Sequence, residues 1–413
     1  MLNGLLVLDL SRVLAGPYGT QLLADLGARV VKVEAPRGDD TRGWGPPFAG
    51  DQSAYFLSVN RGKESVAIDL KKPDGAALVR RLAARADVLV ENFKVGDLAR
   101  YGLDPASLAE VNPGLIYASI TGYGSRGPRA HEPGYDAALQ AVTGLMAMTG
   151  DPDGGPVKLG VAWVDVLTGL HAAVAILAAL HERARTGRGR HLELSLFEVG
   201  LASMVNQAQG ALLTGEAPAR LGSAHPSIVP YQAFETADAP IMLAVGNDDQ
   251  FARAARVLGA PAWAEDPRFA TNAARVEHRE VLVPRVQERL RTAPRDAWLA
   301  RFRDAGVSAT PVLTLPEALA DVQAQALGTV GRYRHPSAGE VPFVRSPLRH
   351  VAPLAAPDGG TVRERAGGAA TGRDAPPPRL GSDARSVLGE LLGATADEVD
   401  DLIARGVVAP PAG

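Results

Sequence analysis

Cysteine is absent from this chain of 413 residues. The absence excludes disulfides, a thiolate nucleophile, and cysteine ligands for zinc or an iron–sulfur cluster. Neither sign of charge is in excess, since 43 Lys and Arg stand against 46 Asp and Glu, a net charge of −3. No overall field draws such a chain to nucleic acid or to an anionic membrane. Any anion must therefore be bound by a local cluster of cations.

Long hydrophobic runs are also missing. The most apolar stretch, residues 172–180, has nine residues between two histidines, whereas about 20 are needed to span a bilayer. The N-terminus lacks the basic start and the small-residue cleavage site of a signal peptide, and it reads as a buried strand. We therefore expect a cytoplasmic protein without a transmembrane helix.

Strand-like and helix-like segments alternate from the N-terminus. Residues 4–10 and 29–34 have the apolar, β-rich pattern of strands, and residues 17–27 between them have helical spacing. The alternation continues through four further strands, with long helices predicted over 166–185 and 198–213. This order predicts an α/β fold, a Rossmann-like large domain with a parallel sheet covered by helices.

The pattern changes near residue 220, beyond which short strands and helices, one of them over 273–291, indicate a smaller α+β domain. Residues 352–379 are dense in Ala, Gly and Pro without apolar periodicity, which indicates an extended linker before a last helix over 383–393. The predicted parts are a large domain over 1–220, a small domain over 221–330, and a linker with a C-terminal segment returning to the large domain over 331–413.

Several familiar catalytic motifs are incomplete. The turn SRVLAGPYG lacks the G-x-G-x-x-G of a dinucleotide site, although Glu34 stands where a ribose-binding acid would lie. The string NRGKES at 60–65 lacks the first glycine and the metal-binding hydroxyl of a phosphate loop. No G-x-S-x-G elbow and no metal-binding histidine spacing occurs. An oxidoreductase would rest on fold analogy alone, and a serine hydrolase or zinc enzyme is unsupported.

Asp165 lies where a strand-like segment gives way to the long apolar helix. Backbone N–H groups are unpaired at such a junction, and the helix dipole is positive there. An acid in this place commonly caps the helix. The same setting lowers a carboxyl pKa below its reference value of about 3.9 and presents an ionised group at the edge of the sheet. Cap and nucleophile both remain open, because one carboxylate can serve as both.

Seven segments carry a family resemblance when they are taken together and in order. They are LDLSRVLAGPYGTQLLADLGARVVKVE (8–34), GDDTRGWGPPF (38–48), NRGKESVAIDLKKPDG (60–75), DVLVENFKVGDLARYGLD (87–104), NPGLIYASITGYGSRGP (112–128), PGYDAALQAVTGLMAMTG (133–150) and the Asp165 segment through TGRGR. With these segments the chain resembles the class III coenzyme A transferases, the superfamily of carnitine/formyl-CoA transferases and 2-methylacyl-CoA racemases. The resemblance is strong to about residue 200 and weakens toward the C-terminus.

The resemblance implies a transferase that moves coenzyme A between an acyl-CoA donor, such as succinyl-CoA, and a carboxylic acid. Asp165 stands at the family's catalytic aspartate, whose carboxylate attacks the thioester and is converted, through a mixed anhydride, to an aspartyl-CoA thioester. The implied reaction has no permanently bound cofactor and no metal, and coenzyme A or acyl-CoA enters as substrate. A 2-methylacyl-CoA racemase and a non-catalytic acyl-CoA-binding protein remain as alternatives.

The resemblance also implies a binding site for coenzyme A. Its phosphates need local cations, and the matching positions are Arg37, Lys71 and Arg100. Other matched positions would allow close backbone approach, flank the adenine or line the crevice, and they are Ala15, Ile68, Asp69, Leu70, Asn92 and Phe93.

Two places in the chain bear on the branch of the family. The racemases carry a histidine base where this chain has Tyr135 before Asp136, and a phenol with a reference pKa near 10 is a poor base. Transfer is therefore favoured over epimerisation. The formyl-CoA branch has a run of glycines where this chain has Gly222 alone, which favours succinyl-CoA with a dicarboxylic or branched acid. His225 is expected either to border the acyl pocket or to be an ordinary turn histidine before Pro226.

The resemblance further implies a homodimer with interlocked chains, in which the segment 352–379 carries each chain around its partner. Acyl-CoA and a carboxylic acid are the expected small-molecule partners. No nucleic acid and no membrane is expected to bind.

Overall fold

The computed structural model describes residues 1–349 and 374–411, so most of the predicted linker over 352–379 lies outside the described residues. The strands are β1 (Leu6–Asp9), β2 (Arg29–Glu34), β3 (Phe48–Ala49), β4 (Gln52–Ser53), β5 (Glu64–Ala67), β6 (Val88–Glu91), β7 (Ile116–Thr121), β8 (Arg190–Ser195), β9 (Tyr231–Phe234), β10 (Ile241–Ala244), β11 (Ser308–Pro311), β12 (Val330–His335) and β13 (Gly339–Val344).

Helices make up most of the remaining regular structure. They are α1 (Ala15–Asp25), α2 (Ala54–Val59), α3 (Pro73–Ala83), α4 (Pro105–Ala109), α5 (Asp136–Val142), α6 (Trp163–Thr186), α7 (Leu196–Ala202), α8 (Val205–Thr214), α9 (Asp248–Val257), α10 (Asn272–Glu277), α11 (Arg279–Leu290), α12 (Arg295–Asp304), α13 (Leu315–Ala320), α14 (Val322–Ala326), α15 (Ala384–Leu392) and α16 (Ala396–Ala404).

Six parallel strands form the main sheet in the order β5-β2-β1-β6-β7-β8. β1 pairs with β2 from Leu6 opposite Arg29 to Asp9 opposite Lys32, and it pairs with β6 on its other side. The chain thus moves outward from β1 in one direction and later from β6 in the other. Open α/β sheets bind ligands at the carboxyl ends of their strands where this reversal occurs. The predicted mixed α/β fold with a parallel sheet is confirmed.

Both faces of this sheet are covered, which explains why β1 and β6 are buried at every position. On one face, the strands share a core with Leu78 and Leu82 of α3 and with Val387 and Leu388 of α15. On the other face lie α1 and α6, which pack on each other and on the strands. The two layers of helices leave the carboxyl ends of the strands open.

The contact between α1 and α6 depends on two glycines. A Cβ at Gly169 would lie 2.6 Å from the carbonyl oxygen of Ala15, and a Cβ at Gly19 would lie 2.9 Å from the carbonyl oxygen of Gly169. Both distances are shorter than van der Waals contact, so only glycine lets the two backbones approach this closely. The approach brings the first turns of both helices to the same edge of the sheet.

Four buried charges lie beneath that edge. Asp9 accepts a hydrogen bond from Lys63 at 2.9 Å, and Lys32 lies 3.0 Å from Asp39, with all four side chains fully buried. Burial by itself raises the pKa of Asp9, but Lys63 and Lys32 outweigh it and lower the pKa to about 2. Removing one member of such a buried pair costs about 3–5 kcal/mol, because an unpaired charge stays behind.

α6 is the one helix within the described residues that is long and apolar enough to cross a membrane, judged by length and composition. The apolar run of nine residues seen in the sequence is much shorter than this apolar helix. The helix has 24 residues, and its most apolar window has a mean hydropathy of 1.8. Its buried positions, which include Gly169, Ala172 and Ile176, pack within the α/β layers. Core helices of α/β proteins pass the same test.

Packing divides the chain into two compact units. Of the described residues, unit 1 comprises 1–144, 159–209, 322–349 and 374–411, and unit 2 comprises 145–158 and 210–321. Unit 2 contains an antiparallel sheet in the order β11-β10-β9, with Phe234, Phe251 and Phe269 in its core. The domain limits expected near residues 220 and 330 stay predictions.

The C-terminal segment packs along β5 within unit 1. The carboxylate of Asp383 accepts a hydrogen bond from the N–H of Ser65 at 2.8 Å. The N–H of Ala409 donates to the carbonyl oxygen of Ala67 at 2.8 Å, and the N–H of Asp69 donates to Val407. The segment thereby lies beside Ile68 and Asp69, two residues expected to bind coenzyme A.

Two predicted helices are wrong in their continuity. The helix expected over 198–213 is broken into α7 and α8, and Val205 at the start of α8 has a φ of 38°. The helix expected over 273–291 is divided into α10 and α11 at His278, whose ψ of 26° departs from helical values. Neither break falls at a Gly or Pro. The apolar periodicity therefore predicted one continuous helix in each place.

We predict that Gly169→Ala lowers the free energy of unfolding by about 1–3 kcal/mol, because the added methyl forces α1 away from α6. Urea unfolding followed by circular dichroism measures the change. Gly389→Ala is the matched control in α15, where the new Cβ would make only an ordinary contact of 3.5 Å, and it should leave stability equal or slightly raised. A wild-type midpoint for Gly169→Ala would contradict the close packing of these helices.

Candidate active site

A cavity of about 240 Å³ lies in unit 1 at the carboxyl ends of β1, β6 and β7. The loops that follow these strands and the starts of α1, α5 and α6 form its walls. The predicted site residues that line it are Ala15, Asn92, Phe93, Tyr135, Asp136 and Asp165. The structure therefore brings Asp165 together with three groups of residues that are 29 or more positions away in the sequence.

Asp165 is the third residue of α6, and it is 8% exposed. The start of this helix is capped by Asp136, whose Oδ1 accepts hydrogen bonds from the N–H groups of Val164 at 2.8 Å and Asp165 at 3.1 Å. The Asp165 carboxylate receives no hydrogen bond from the residues that the structure describes. Asp165 is therefore not the cap of α6, and its carboxylate is left to face the cavity.

Burial, together with repulsion from Asp136, raises the pKa of Asp165 to about 7. The sequence predicted a lowered pKa at the helix start, and that prediction is wrong. The helix dipole acts here on a carboxylate that has lost its water and lies beside a second acid, and desolvation is the larger effect. An acid in this state is partly ionised at neutral pH and is poorly solvated, as a nucleophile must be.

Trp44 belongs to the site and Tyr55 packs against it, and the sequence analysis singled out neither residue. Trp44 lines the cavity, and its ring meets that of Tyr55 edge-on with centroids 5.3 Å apart. Burial and the nearby charges of Asp165 and Asp136 raise the pKa of Tyr55 to about 12, which keeps its hydroxyl protonated as a donor. Trp44 lies within a segment that carries the family resemblance, and Tyr55 lies between two such segments. These positions were the only signal in the sequence that could have pointed to them.

A second cavity, of about 260 Å³, lies beside the first in unit 1. The predicted coenzyme A residues that line it are Ile68, Asp69, Leu70, Lys71, Phe93 and Arg100. Arg12 and Phe93 line both cavities, so the two are adjacent. This adjacency allows one ligand to place its nucleotide end in the second cavity and its reactive end near Asp165.

The predicted cations differ in their surroundings. Arg100 is 62% exposed along its side chain and lies 3.6 Å from Asp97. Arg37 is 75% exposed, lies 3.6 Å from Asp40 and is not among the residues that line the second cavity. Lys71 is exposed at the rim. Arg12 is a further cation at the junction of the two cavities, and the sequence did not single it out.

Gly222 and His225 belong to unit 2. Gly222 has a φ of 57°, the left-handed region that favours glycine, and its N–H donates to the carbonyl oxygen of Gly150 at 2.9 Å. The Nδ1 of His225 accepts a hydrogen bond from the N–H of Ser227 at 3.0 Å. Both residues take part in the local folding of unit 2, and their role in substrate binding stays a prediction.

Within residues 1–349 and 374–411, no group of three or more His, Asp or Glu side chains is arranged to hold a metal ion. The first cavity instead offers the carboxylates of Asp136 and Asp165, the guanidinium of Arg12 and the uncapped start of α1. A desolvated carboxylate beside unpaired backbone N–H groups suits acyl transfer, in which a carboxylate attacks and an oxyanion develops.

Residues 2–358 match the sequence model of CoA-transferase family III. The chain belongs to this family. It is accordingly an enzyme of the class III CoA-transferase type, for which acyl-CoA is a substrate.

Curated relatives of this CoA-transferase cover most of its length. It is 48% identical over 355 residues to the succinate–glutarate CoA-transferase of Agrobacterium fabrum. The matched residues cover 84% of this chain and 88% of that protein. It is 40% identical over 408 residues to the mouse succinyl-CoA:glutarate CoA-transferase, over 98% of this chain and 90% of the relative. A CaiB/BaiF family protein from Brucella suis has a similar structure, with a TM-score of 0.79 and 43% identity over 94% of this chain and 99% of that chain.

We predict that Asp165→Asn raises the free energy of unfolding at pH 8. The wild-type carboxyl has a pKa of about 7 when folded and 3.8 as its ordinary value, so between these values the folded state binds the additional proton. Raising the pH through that range therefore destabilises the wild type, by at most about 1.4 kcal/mol per pH unit. The variant should lack this slope.

Urea unfolding of the wild type and Asp165→Asn from pH 4 to pH 8 tests the prediction. The matched control is Asp153→Asn, an exposed acid of unit 2, which should follow the wild-type curve. Parallel curves for the wild type and Asp165→Asn would show that the Asp165 carboxyl does not carry the raised pKa.

Proposed function

We propose that this enzyme transfers coenzyme A between succinyl-CoA and a dicarboxylic acid through an aspartyl-CoA thioester on Asp165. The observation that carries the proposal is the Asp165 carboxylate, which is 8% exposed, has a pKa raised to about 7 and faces the first cavity. A structural acid would be paired or solvated, because an unpaired buried charge is costly. A nucleophile needs the opposite setting.

The proposed steps balance without an external co-reactant. The Asp165 carboxylate attacks the thioester carbonyl of the donor, the C–S bond breaks, and a mixed anhydride forms with release of the CoA thiolate. The thiolate attacks the aspartyl carbonyl, frees the donor acid and leaves the aspartyl-CoA thioester. The acceptor carboxylate then repeats the two steps in reverse, which returns Asp165 to its starting form.

Backbone groups at the start of α1 suit the oxyanions of these steps. Leu14, at the N-terminal end of the helix, makes no side-chain cap, and the first N–H groups of a helix have no partner within it. Leu14 and Ala15 both line the first cavity with Asp165. The hydroxyl of Tyr55, kept protonated beside the acids, is a further donor.

For coenzyme A we infer that the nucleotide occupies the second cavity. Ile68 and Leu70 supply apolar contacts for the adenine, and Asp69 lies between them. Lys71 and Arg100 at the rim would meet the phosphates, with exposed Arg37 reaching from outside. Phe93 is shared by both cavities and lies on the path to Asp165.

A dicarboxylic acceptor is supported by two observations. The relatives described above are named for succinate or succinyl-CoA and glutarate. In this chain, Arg12 and Lys94 line the cavity that contains Asp165 and can neutralise a second carboxylate. Tyr135 stays where the racemase branch has its histidine, so transfer rather than epimerisation is proposed. The cytoplasmic location remains a prediction.

Acyl exchange should require Asp165. Incubation with succinyl-CoA and glutarate should yield glutaryl-CoA, measured by mass spectrometry, and Asp165→Asn should abolish it, since an amide is a poor nucleophile. Borohydride reduction during turnover should mark Asp165 as the corresponding alcohol in mapped peptides. Solvent deuterium should not enter 2-methylacyl-CoA. An active Asn variant, or a label on another carboxylate, would defeat the mechanism.

We further propose a homodimer with interlocked chains. Large apolar side chains are exposed along α6 and α8, among them Val174 at 66%, Leu212 at 81% and Leu213 at 77%. Neighbouring exposed apolar side chains, such as Leu212 and Leu213 on α8, are common at protein interfaces. A second copy of this chain is the occupant implied by the family resemblance.

Sedimentation velocity at micromolar concentration should show a dimer. If the chains interlock, mixing tagged and untagged dimers should give no exchanged heterodimer until the protein is unfolded and refolded, because separation requires unfolding. Leu212→Lys is an informative variant, since a charge in an apolar interface should impair assembly. A monomer would refute the proposal, and free exchange of native subunits would refute the interlocking.

A further inference from the structure

Val13 has a φ of 70°, in the left-handed region. A β-branched residue rarely adopts this conformation, because its Cβ substituents crowd the backbone. Such a residue persists only where its surroundings hold it, and strained residues of this kind cluster at functional sites. Val13 lines the cavity of Asp165 together with its successors Leu14 and Ala15. The contacts that hold Val13 in this conformation therefore also shape a wall of the first cavity, in which the reaction is proposed to occur.

Asn92 holds the residue before Val13 by two hydrogen bonds. Its Oδ1 accepts from the N–H of Arg12 at 2.9 Å, and its Nδ2 donates to the carbonyl oxygen of Arg12 at 2.7 Å. The side-chain amide thus pairs with both backbone groups of Arg12, as a neighbouring strand would. The loop after β6 is thereby tied to the loop after β1 at the place where the strand order reverses.

Asp39 holds Val13 from the other side. Its carboxylate accepts the N–H of Val13 at 3.2 Å and pairs with the buried Lys32 at 3.0 Å. Lys32 in turn donates to the carbonyl oxygen of Ser11 at 2.8 Å. The backbone of each of residues 11–13 is therefore hydrogen-bonded by a side chain from elsewhere in the fold. The uncapped start of α1 follows directly after these residues.

We propose that Asn92 is a positioning residue of the transfer reaction, which clamps the backbone of Arg12 and, with Asp39, keeps Val13 left-handed so that Leu14 and Ala15 face Asp165. The inference rests on the proposed function, because it takes the cavity of Asp165 as the reaction chamber. Asn92 was expected to bind coenzyme A, whereas both ends of its amide are engaged by Arg12.

The two roles of Asn92 make different forecasts. Val13, Leu14 and Ala15 line the first cavity but not the second, where the nucleotide is placed. Loss of a positioning contact should therefore impair turnover, while loss of a ligand should weaken binding. We expect Asn92→Ala to lower kcat about tenfold or more and to change the Kd of free coenzyme A by less than about threefold.

A double-mutant cycle with Val13→Gly tests whether the clamp acts through the strained residue. Glycine adopts a φ of 70° without steric cost, so it should need the clamp less. Removing Asn92 should then cost about threefold or less in kcat in the Val13→Gly background, against about tenfold or more in the wild type. Equal losses in both backgrounds would overturn the assignment.

Asn112→Ala is the matched control. Asn112 is also half-buried, and its Nδ2 donates to two backbone carbonyls, of Ala83 and Ala86, at 3.0 and 2.8 Å. It should lose stability in urea unfolding but keep kcat. An Asn92→Ala variant that keeps kcat and binds coenzyme A weakly would make Asn92 a ligand. A wild-type enzyme without exchange would defeat the proposed function instead, so the two failures are separable.

Discussion

The buried pairing of Asp9 with Lys63 and of Lys32 with Asp39 underlies the arrangement of the site. These charges lie under the carboxyl ends of β1 and β2, where their side chains are fully buried, so each charge must be met by an opposite one. The partners come from different strands and loops. A displacement of any one of these elements leaves a buried charge unpaired, and this penalty sets the register of the loops that surround the cavity.

Above these buried pairs, the setting that makes Asp165 reactive also lowers the stability of the fold. The start of α6 is capped by Asp136 rather than by Asp165, so the second carboxylate is buried without a partner. Burial and the repulsion of Asp136 raise the pKa of Asp165 to about 7, so this carboxyl is partly protonated at neutral pH. The close approach of α1 and α6 through Gly19 and Gly169 brings this carboxylate to the start of α1. Helix packing and electrostatics thus serve the same edge of the sheet.

Much of the fold could be predicted from the sequence, because buried parallel strands are short apolar runs and helices have a clear period. The strand over 29–34 was found at its observed limits, and the helix over 166–185 was found within three residues of them. The hairpin of β12 and β13 and the divisions of two helices were not found. The strands β12 and β13 bury Tyr333 and Val341 against Leu57, a residue more than 270 positions away, and local periodicity carries no record of that contact.

The sequence alone determined the family, the parallel α/β sheet and Asp165 as the candidate nucleophile, because each of these follows from residue types in a fixed order. Only the tertiary structure decided the state of that nucleophile. Its pKa depends on burial and on Asp136, which lies 29 residues away in the chain. Likewise, the engagement of Asn92 by Arg12 joins residues 80 positions apart. Desolvation and hydrogen bonding act through space, so their outcome is set only when the strands and helices have packed.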